Sequence, residues 1–161
     1  MAIKKAVLAG GCFWGVEYLM AKLDGVISTK VGYCGGDFEN PTYEDVKSGK
    51  TGHAESVMIE FDDEKIKYSD ILDYFFKIHD PTTLNRQMND IGTQYRSVIF
   101  YIDEEQKREA YLAIERAEKN WKKKIVTEVV KFEKFWDAEE YHQKYLFKNP
   151  GGYICHFERK F

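Results

Sequence analysis

Cys12 stands between two glycines and two large aromatic residues, in Gly10-Gly11-Cys12-Phe13-Trp14-Gly15. The apolar run Ala6-Val7-Leu8-Ala9 before it reads as a buried strand, and Val16 to Leu23 after it carries Tyr18, Leu19 and Leu23 near helical spacing. The paired glycines mark a strand-to-helix turn where backbone approaches closely. Cys12 is therefore expected in the first turn of a helix, where unpaired N–H groups and the positive dipole end favour thiolate over thiol. Phe13 and Trp14 would put an apolar wall beside the sulfur. A lone cysteine near a helix start is more often a small buried hydrophobe than a nucleophile, so the rest of the chain must supply partners for any chemistry.

A thiolate can attack a carbon, a disulfide, a peroxide oxygen or a sulfoxide sulfur. A cysteine hydrolase wants a histidine base, and His53, His79, His142 and His156 keep that route open. A sulfoxide reductase wants an acid for the departing oxygen, donors to polarise the S=O bond, an apolar recess for the methyl group and a second thiol to resolve the sulfenic acid. Each has a candidate. Glu55 opens a strand beside the first long loop, and in an aromatic pocket its pKa would rise enough for it to act as an acid. Tyr43 and Tyr95 border the two long loops and can donate phenolic hydrogen bonds. Phe13 and Trp14 could form the recess. Cys155 follows Gly151-Gly152 in the tail, where a flexible backbone could swing a thiol onto Cys12. Each also has an ordinary alternative: an exposed carboxylate, core-packed rings, a tail cysteine without a role.

Other chemistries lack parts. His53-Ala54-Glu55 is the H-x-E of a zinc deaminase, which also needs Pro-Cys-x-x-Cys. The chain has no C-x-x-C anywhere, which removes the usual structural zinc site as well. A thiol peroxidase needs the same low-pKa cysteine and resolver, but would be indifferent to Tyr43 and Tyr95. A non-catalytic redox sensor would show no turnover.

The bulk numbers frame these options. The 161 residues suit one domain, 1–161, able to bury a core without disulfide staples. A net charge of −3 gives no reason to invoke nucleic acid or an anionic membrane. Three cysteines, an odd number at irregular spacing, are not a secreted disulfide framework. No apolar run approaches the ~20 residues of a membrane span, and Met1-Ala2-Ile3-Lys4-Lys5 leads into the first strand without a signal-peptide pattern. A reducing cytoplasm and a monomer are the expectations.

The elements that must position these residues follow from periodicity. Val26 to Tyr33 reads as a second strand, Cys34 to Gly52 as a polar, glycine-rich loop, and His53 to Phe61 as an alternating strand with Glu55, Val57, Ile59 and Phe61 on one side. Ser69 or Asp70 can cap a helix through Ile71, Leu72, Phe75 and Phe76 that stops before Pro81. Asp80 to Thr93 is irregular, and Tyr95 to Ile102 is a strand. Asp103 caps a long helix, Glu104 to Lys124, whose core face is Ala110, Ala113, Ile114, Ala117 and Trp121, with Lys122-Lys123-Lys124 complementing its C-terminal dipole. Val126 to Phe132 is a last strand. Phe135 to Phe161 is mostly irregular, with one short helix through Glu139–His142. The fold class is α/β (α+β): a two-layer, ferredoxin-like β-α-β-β-α-β plait with an extra helix and strand and a long tail.

Six motifs then occur in register along nearly the whole chain: Gly-Cys-Phe-Trp-Gly at 11–15, Gly-Tyr-x-Gly-Gly at 32–36, Asn-Pro-Thr-Tyr at 40–43, Thr-Gly-His-Ala-Glu at 51–55, Asn-Asp-x-Gly-Thr-Gln-Tyr-Arg-Ser at 89–97 and Ala-Glu-x-Tyr-His-Gln at 138–143. Together they resemble the A-type peptide methionine sulfoxide reductases. The resemblance implies Cys12 as nucleophile, Glu55 as acid with Tyr43 and Tyr95 as hydrogen-bonding partners, Phe13 and Trp14 as the methyl pocket, and Asp90 in the substrate-side network. The Gly-Tyr-x-Cys-His tail is similar to members with a single resolving cysteine, which makes Cys155 the resolver. It further implies oxidised proteins or peptides as substrates, specificity for the S epimer, thioredoxin as reductant, and no metal or organic cofactor. Two positions depart from the pattern. Cys34 fills the x of Gly-Tyr-x-Gly-Gly, as spectator, alternative resolver or relay. Met88 stands where glycine is common, which bears on the shape of the loop before Asp90.

Overall fold

The structure is a computed structural model and describes residues 2–161. Its strands and helices follow the chain as β1 (Ile3–Gly10), α1 (Phe13–Met20), β2 (Val26–Cys34), α2 (Tyr43–Lys47), β3 (Ala54–Asp62), α3 (Tyr68–Ile78), β4 (Arg86–Gln87), β5 (Asp90–Ile91), β6 (Ser97–Tyr101), α4 (Glu104–Glu118), β7 (Glu128–Lys131), β8 (Phe135–Asp137) and α5 (Tyr145–Lys148). Short 3-10 turns cover Thr93–Tyr95 and Glu140–His142.

The main sheet runs β7-β6-β1-β3-β2-β8. Its four central strands, with α1 and α3, are the split βαβ plait: β1 lies antiparallel to both β3 and β6, and β2 lies antiparallel to β3. The additions sit at the edges. β7 pairs in parallel with β6 after the α4 crossover, and β8 pairs antiparallel with β2. A separate hairpin joins β4 to β5.

Alternation along the strands sorts the core. Ala6, Leu8, Val31, Tyr33, Val57, Ile59, Phe61 and Ile99 pack against Phe13, Val16 and Met20 of α1, Leu72 and Phe75 of α3, and Ala110, Ala113 and Ala117 of α4. The small residues of α4 let that helix lie close to the sheet. The opposite face carries a smaller cluster: Val7, Ala9, Cys34, Ala54, Met58, Val98 and Phe100. Glu55 follows Ala54, pairs with Tyr33 and so belongs to the helix-covered face, whereas Cys34 pairs with Ala54 on the other.

Several boundaries differ from the sequence expectation. α1 runs from Phe13, and its buried stripe is Phe13, Val16 and Met20, with Tyr18 outside it. Cys12 is consequently the N-cap residue rather than a member of the first turn. The loop from Cys34 to Gly52 holds α2, started by a capping box in which Thr42 and Asp45 satisfy one another's backbone N–H groups. α4 ends at Glu118, before Asn120, a weaker helix former. Trp121 leaves the helix axis and donates its indole N–H to the Phe76 carbonyl at 3.1 Å. The lysine run 122–124 therefore lies beyond the C-cap and does not complement the helix dipole. The last strand shortens to β7, and the region expected to be mostly irregular, with one short helix, contains β8, a 3-10 turn and α5.

Met88 sits at the tip of the β4–β5 hairpin with φ +52°, in the left-handed region. The hairpin keeps its register there, so the departure from glycine is absorbed as backbone strain, which for a side-chain-bearing residue amounts to about 1 kcal/mol. Met88 is also largely exposed. Met88→Gly is accordingly expected to stabilise the protein by ~1 kcal/mol in urea unfolding, whereas an equal loss would show that the methionine side chain packs more than it strains.

Candidate active site

The turn between β1 and α1 is shaped for Cys12 by its neighbours. Gly11 has φ +97°, and a Cβ there would come within 2.6 Å of Gln87 Cγ. A Cβ on Gly15 would come within 2.3 Å of the His156 ring. The first contact seats the β4–β5 hairpin against the turn, and the second seats the C-terminal tail. Both glycines thus make room for segments distant in sequence.

Glu55 is buried, and one carboxylate oxygen accepts the Phe13 N–H at 3.1 Å. Burial pushes its carboxyl from 4.5 up to about 8, against the opposing pull of the Phe13 N–H, with the Asp90 charge adding to the rise. At neutral pH it carries its proton. Cys12 keeps partial exposure, yet its thiol also lies well above the usual range. Burial is the largest cause and the Glu55 charge the next, while the Trp14 N–H at the helix start pulls the other way. This overturns the expectation of a resting thiolate. The dipole of this eight-residue helix does not outweigh desolvation.

Tyr43 begins α2 and Tyr95 ends the turn before β6. Burial raises both phenols, Tyr43 to about 12, and Glu55 is the largest electrostatic contributor to each. Both remain protonated donors beside the carboxyl. Cys12, Glu55, Tyr43 and Tyr95 are therefore gathered into one electrostatic neighbourhood.

Phe13 and Trp14 are held by a segment of the chain 128 residues away. Trp14 donates its indole N–H to His142 Nδ1 at 2.9 Å and stacks on Tyr145 at 3.8 Å, with only 8° between the ring planes. Phe13 lies 5.7 Å from the Tyr33 ring and 5.2 Å from His142, and Tyr43 lies 4.5 Å from His142. Glu139 accepts the Tyr33 hydroxyl at 2.8 Å and the Tyr43 N–H at 2.9 Å. Gln143 bonds both the N–H and the carbonyl of Val31, fixing the segment to the edge of the sheet. No role for Glu139, His142 or Tyr145 follows from sequence spacing alone. The available signal is the density of polar and aromatic residues in Ala-Glu-x-Tyr-His-Gln.

The tail completes the site. Cys155 Sγ lies 3.8 Å from Asp90 Oδ2 and 3.7 Å from His156 Nδ1, and Tyr153 donates to the same Asp90 oxygen at 3.4 Å. Asp90 thus meets the tail directly. Burial and the Asp90 charge raise the Cys155 thiol to about 11. The buried His156 donates its Nε2–H to the Gly10 carbonyl at 2.7 Å, and burial lowers its pKa to about 4, so the ring is neutral. Beyond it, Glu158 accepts the Tyr74 hydroxyl, the Arg159 N–H reaches the Lys77 carbonyl, and Phe161 packs edge-on against Trp121. Cys34 stays in the second cluster, across the sheet from Glu55. Its thiol is pushed up to about 12 by burial.

Of the other histidines, His53 bridges the Gly36 N–H and the Phe38 carbonyl, closing the first long loop. His79 is buried between Phe75 and Ser97. Neither has a free ring nitrogen to offer Cys12 as a base. Among the described residues, no group of three or more His, Cys, Asp and Glu could hold a metal ion, and no helix is long and apolar enough to cross a membrane.

A thiol at a helix start, a carboxyl raised by burial, two phenols and a second thiol are the parts of a thiol-based redox enzyme. The family model for peptide methionine sulfoxide reductase matches residues 4–161. The chain is 54% identical over 154 residues to a peptide methionine sulfoxide reductase MsrA of Clostridium botulinum, covering 96% of this chain and 98% of that protein. The reduced crystal form of Saccharomyces cerevisiae Mxr1 superposes with a TM-score of 0.94 at 40% identity, covering 98% of this chain and 93% of that one. Mxr1 in complex with Trx2 matches with a TM-score of 0.69 at 29% identity, covering 98% and 91%. The chain belongs to the peptide methionine sulfoxide reductase family.

The raised Glu55 carboxyl has a consequence for stability. An unfolded Glu55 loses its proton near 4.5, whereas the folded one keeps it to about 8. This group therefore subtracts stability as pH rises through that window, by about 1.4 kcal/mol per pH unit. Glu55→Gln is expected to gain on the parent by ~3 kcal/mol between pH 5 and pH 8 in paired urea titrations. A difference that stays flat would mean the carboxyl is not held protonated.

Proposed function

We propose that Cys12 reduces the S epimer of methionine sulfoxide in oxidised proteins and peptides. The observation that carries this reading is the buried Glu55, protonated at neutral pH and backed by two phenols. An acid poised to deliver a proton, rather than a base, is what departure of a sulfoxide oxygen requires. The family membership of the whole chain supports it.

In this reading the methyl group enters the recess formed by Phe13 and Trp14, and Tyr43 and Tyr95 donate to the sulfoxide oxygen. The Cys12 sulfur attacks the sulfoxide sulfur, and Glu55 gives its proton to the oxygen. The S–O bond breaks as that oxygen passes to Cys12, so the products are the thioether and a Cys12 sulfenic acid. The Cys12 proton returns to the Glu55 carboxylate, which balances the step. A protonated Glu55 also removes the charge that would otherwise hold the Cys12 thiol up. The Cys155 thiol then attacks the sulfenic sulfur, forming the Cys12–Cys155 disulfide and releasing water. A thioredoxin dithiol reduces that disulfide by exchange, in keeping with the relative solved in complex with Trx2. Asp90 orders Tyr153 and Cys155 beside the site. No metal or organic cofactor enters any step. The chain acts as one catalytic domain, as a monomer, in a reducing cytoplasm.

The test is single-turnover reduction of the two separated epimers of a blocked methionine sulfoxide. Only the S epimer should react, and Cys12→Ser should abolish the reaction. The rate should fall as pH rises through about 8, where Glu55 loses its proton. Glu55→Gln should cost a factor of about 10²–10⁴ and remove that alkaline limb. Reaction of both epimers, or activity in Cys12→Ser, would overturn the reading.

Cys155→Ser separates the resolving step. With dithiothreitol it should still turn over, and with thioredoxin it should stop after about one equivalent of product. Sustained thioredoxin turnover would take the resolving role away from Cys155.

A further inference from the structure

Glu17 is a charged residue the chemistry above does not use, yet it is 1% exposed. It lies on α1, three residues beyond Trp14. One carboxylate oxygen accepts the Lys144 backbone N–H at 2.8 Å. The other accepts Lys144 Nζ at 3.1 Å and the Thr29 hydroxyl at 2.8 Å. Lys144 Nζ also bonds both oxygens of Thr29. Lys144 itself takes the left-handed backbone conformation, φ +56° and ψ +33°, as the N-cap of α5. Such a conformation persists only where its surroundings hold it. The Glu17 carboxylate, grasping backbone N–H and ammonium together, is what holds it.

The residues either side of Lys144 are the ones that grip Trp14. Tyr145 follows it and stacks on the indole, and His142 precedes it by two and accepts the indole N–H. We infer that Glu17 is a positioning residue for the substrate recess, fixing the Trp14 wall through Lys144 and the Tyr145 ring. The inference rests on the reading of Trp14 as part of that recess. An ion pair whose carboxylate alone is buried is not in itself a stabilising device, since an apolar pair of similar volume often serves stability as well or better. What apolar residues cannot supply is the directed bond to the Lys144 N–H, and with it the angle at which α5 presents Tyr145.

Two variants test this. Glu17→Leu removes both acceptor oxygens, and the double change Glu17→Met with Lys144→Met removes both charges while filling the space. Each should raise KM for the blocked sulfoxide about tenfold with kcat nearly unchanged, the pattern of lost uniform binding. Each should also leave oxidation of Cys12 by hydrogen peroxide at the parent rate, because peroxide needs no methyl recess. Lys144→Arg, which keeps the backbone N–H and a cation, should retain the parent KM. The readout independent of turnover is the near-ultraviolet circular dichroism contributed by Trp14. It is measured as the difference between each protein and the same protein carrying Trp14→Phe. That difference should collapse in both variants. A parent-like Trp14 signal would overturn the inference, as would a parent-like KM in the double variant. A peroxide rate falling in step with KM would overturn it too, because it would mark general loosening of the turn. Failure of the parent to reduce either epimer would instead strike the proposed function, and the Trp14 signal would still judge the role of Glu17.

Discussion

Placing two acidic groups, Cys12 and Glu55, together where water is largely excluded is the constraint on which the rest of this structure depends. Charging either one in that setting is costly, and a charge on Glu55 raises the Cys12 thiol further. The pair is therefore held neutral, with one proton on the carboxyl and one on the thiol. Such a pair suits a reaction that consumes a proton at one atom while nucleophilicity develops at another. The Tyr43 and Tyr95 hydroxyls extend the arrangement: a protonated phenol can donate a hydrogen bond without adding charge, so in the proposed reaction they would polarise an oxygen without disturbing the neutral pair.

A neutral, desolvated pair needs walls, and the plait alone does not supply them. β1 and β3 bring the Cys12 turn and Glu55 alongside each other, but the outer wall is built by residues 138–145. Within that stretch Glu139 ties Tyr33 and Tyr43, His142 and Tyr145 grip Trp14, Gln143 fastens the strap to β2, and Lys144 plugs into Glu17. Each bond is individually modest, about 1 kcal/mol net. Their effect is collective, because together they hold the Phe13, Trp14 and Tyr43 rings around His142. That explains why a segment so distant in sequence carries so many directed contacts.

Much of this was legible in the sequence, for identifiable reasons. The plait follows from periodicity: alternation put Glu55 on the same side as Val57, Ile59 and Phe61, and the structure shows that this side is the one covered by helices. Motifs in register identified the family. Three kinds of information were not local. The helix boundary at Cys12 moved because Phe13 buries against Tyr33, a tertiary contact. The thiol's raised pKa depends on how deeply its surroundings exclude water, which spacing does not report. The strap's roles depend on which partner each polar residue meets, so Glu139, His142 and Lys144 look like an ordinary solvated run until the chain is folded. Gly15 is the instructive case. Its reason for being glycine is His156, 141 positions away.

The tail poses the opposite demand from the strap. If Cys155 resolves the Cys12 sulfenic acid, the two Cα atoms must come within about 4.4–6.8 Å. Yet its neighbour His156 is bonded to the Gly10 carbonyl, and the thiol faces Asp90. Those anchors also keep Cys155 beside the turn, so the thiol needs a short excursion rather than a search through solution. The contacts to be broken are few and of low net worth, the thiol–carboxylate contact first among them. The firmer bonds lie further along, at Glu158 and Arg159, where they fix the end of the tail without gripping Cys155 itself. A cysteine anchored beside it at His156 but loosely held itself would meet both requirements of a resolver: clear of the pocket while substrate occupied it, and within reach once the sulfenic acid had formed.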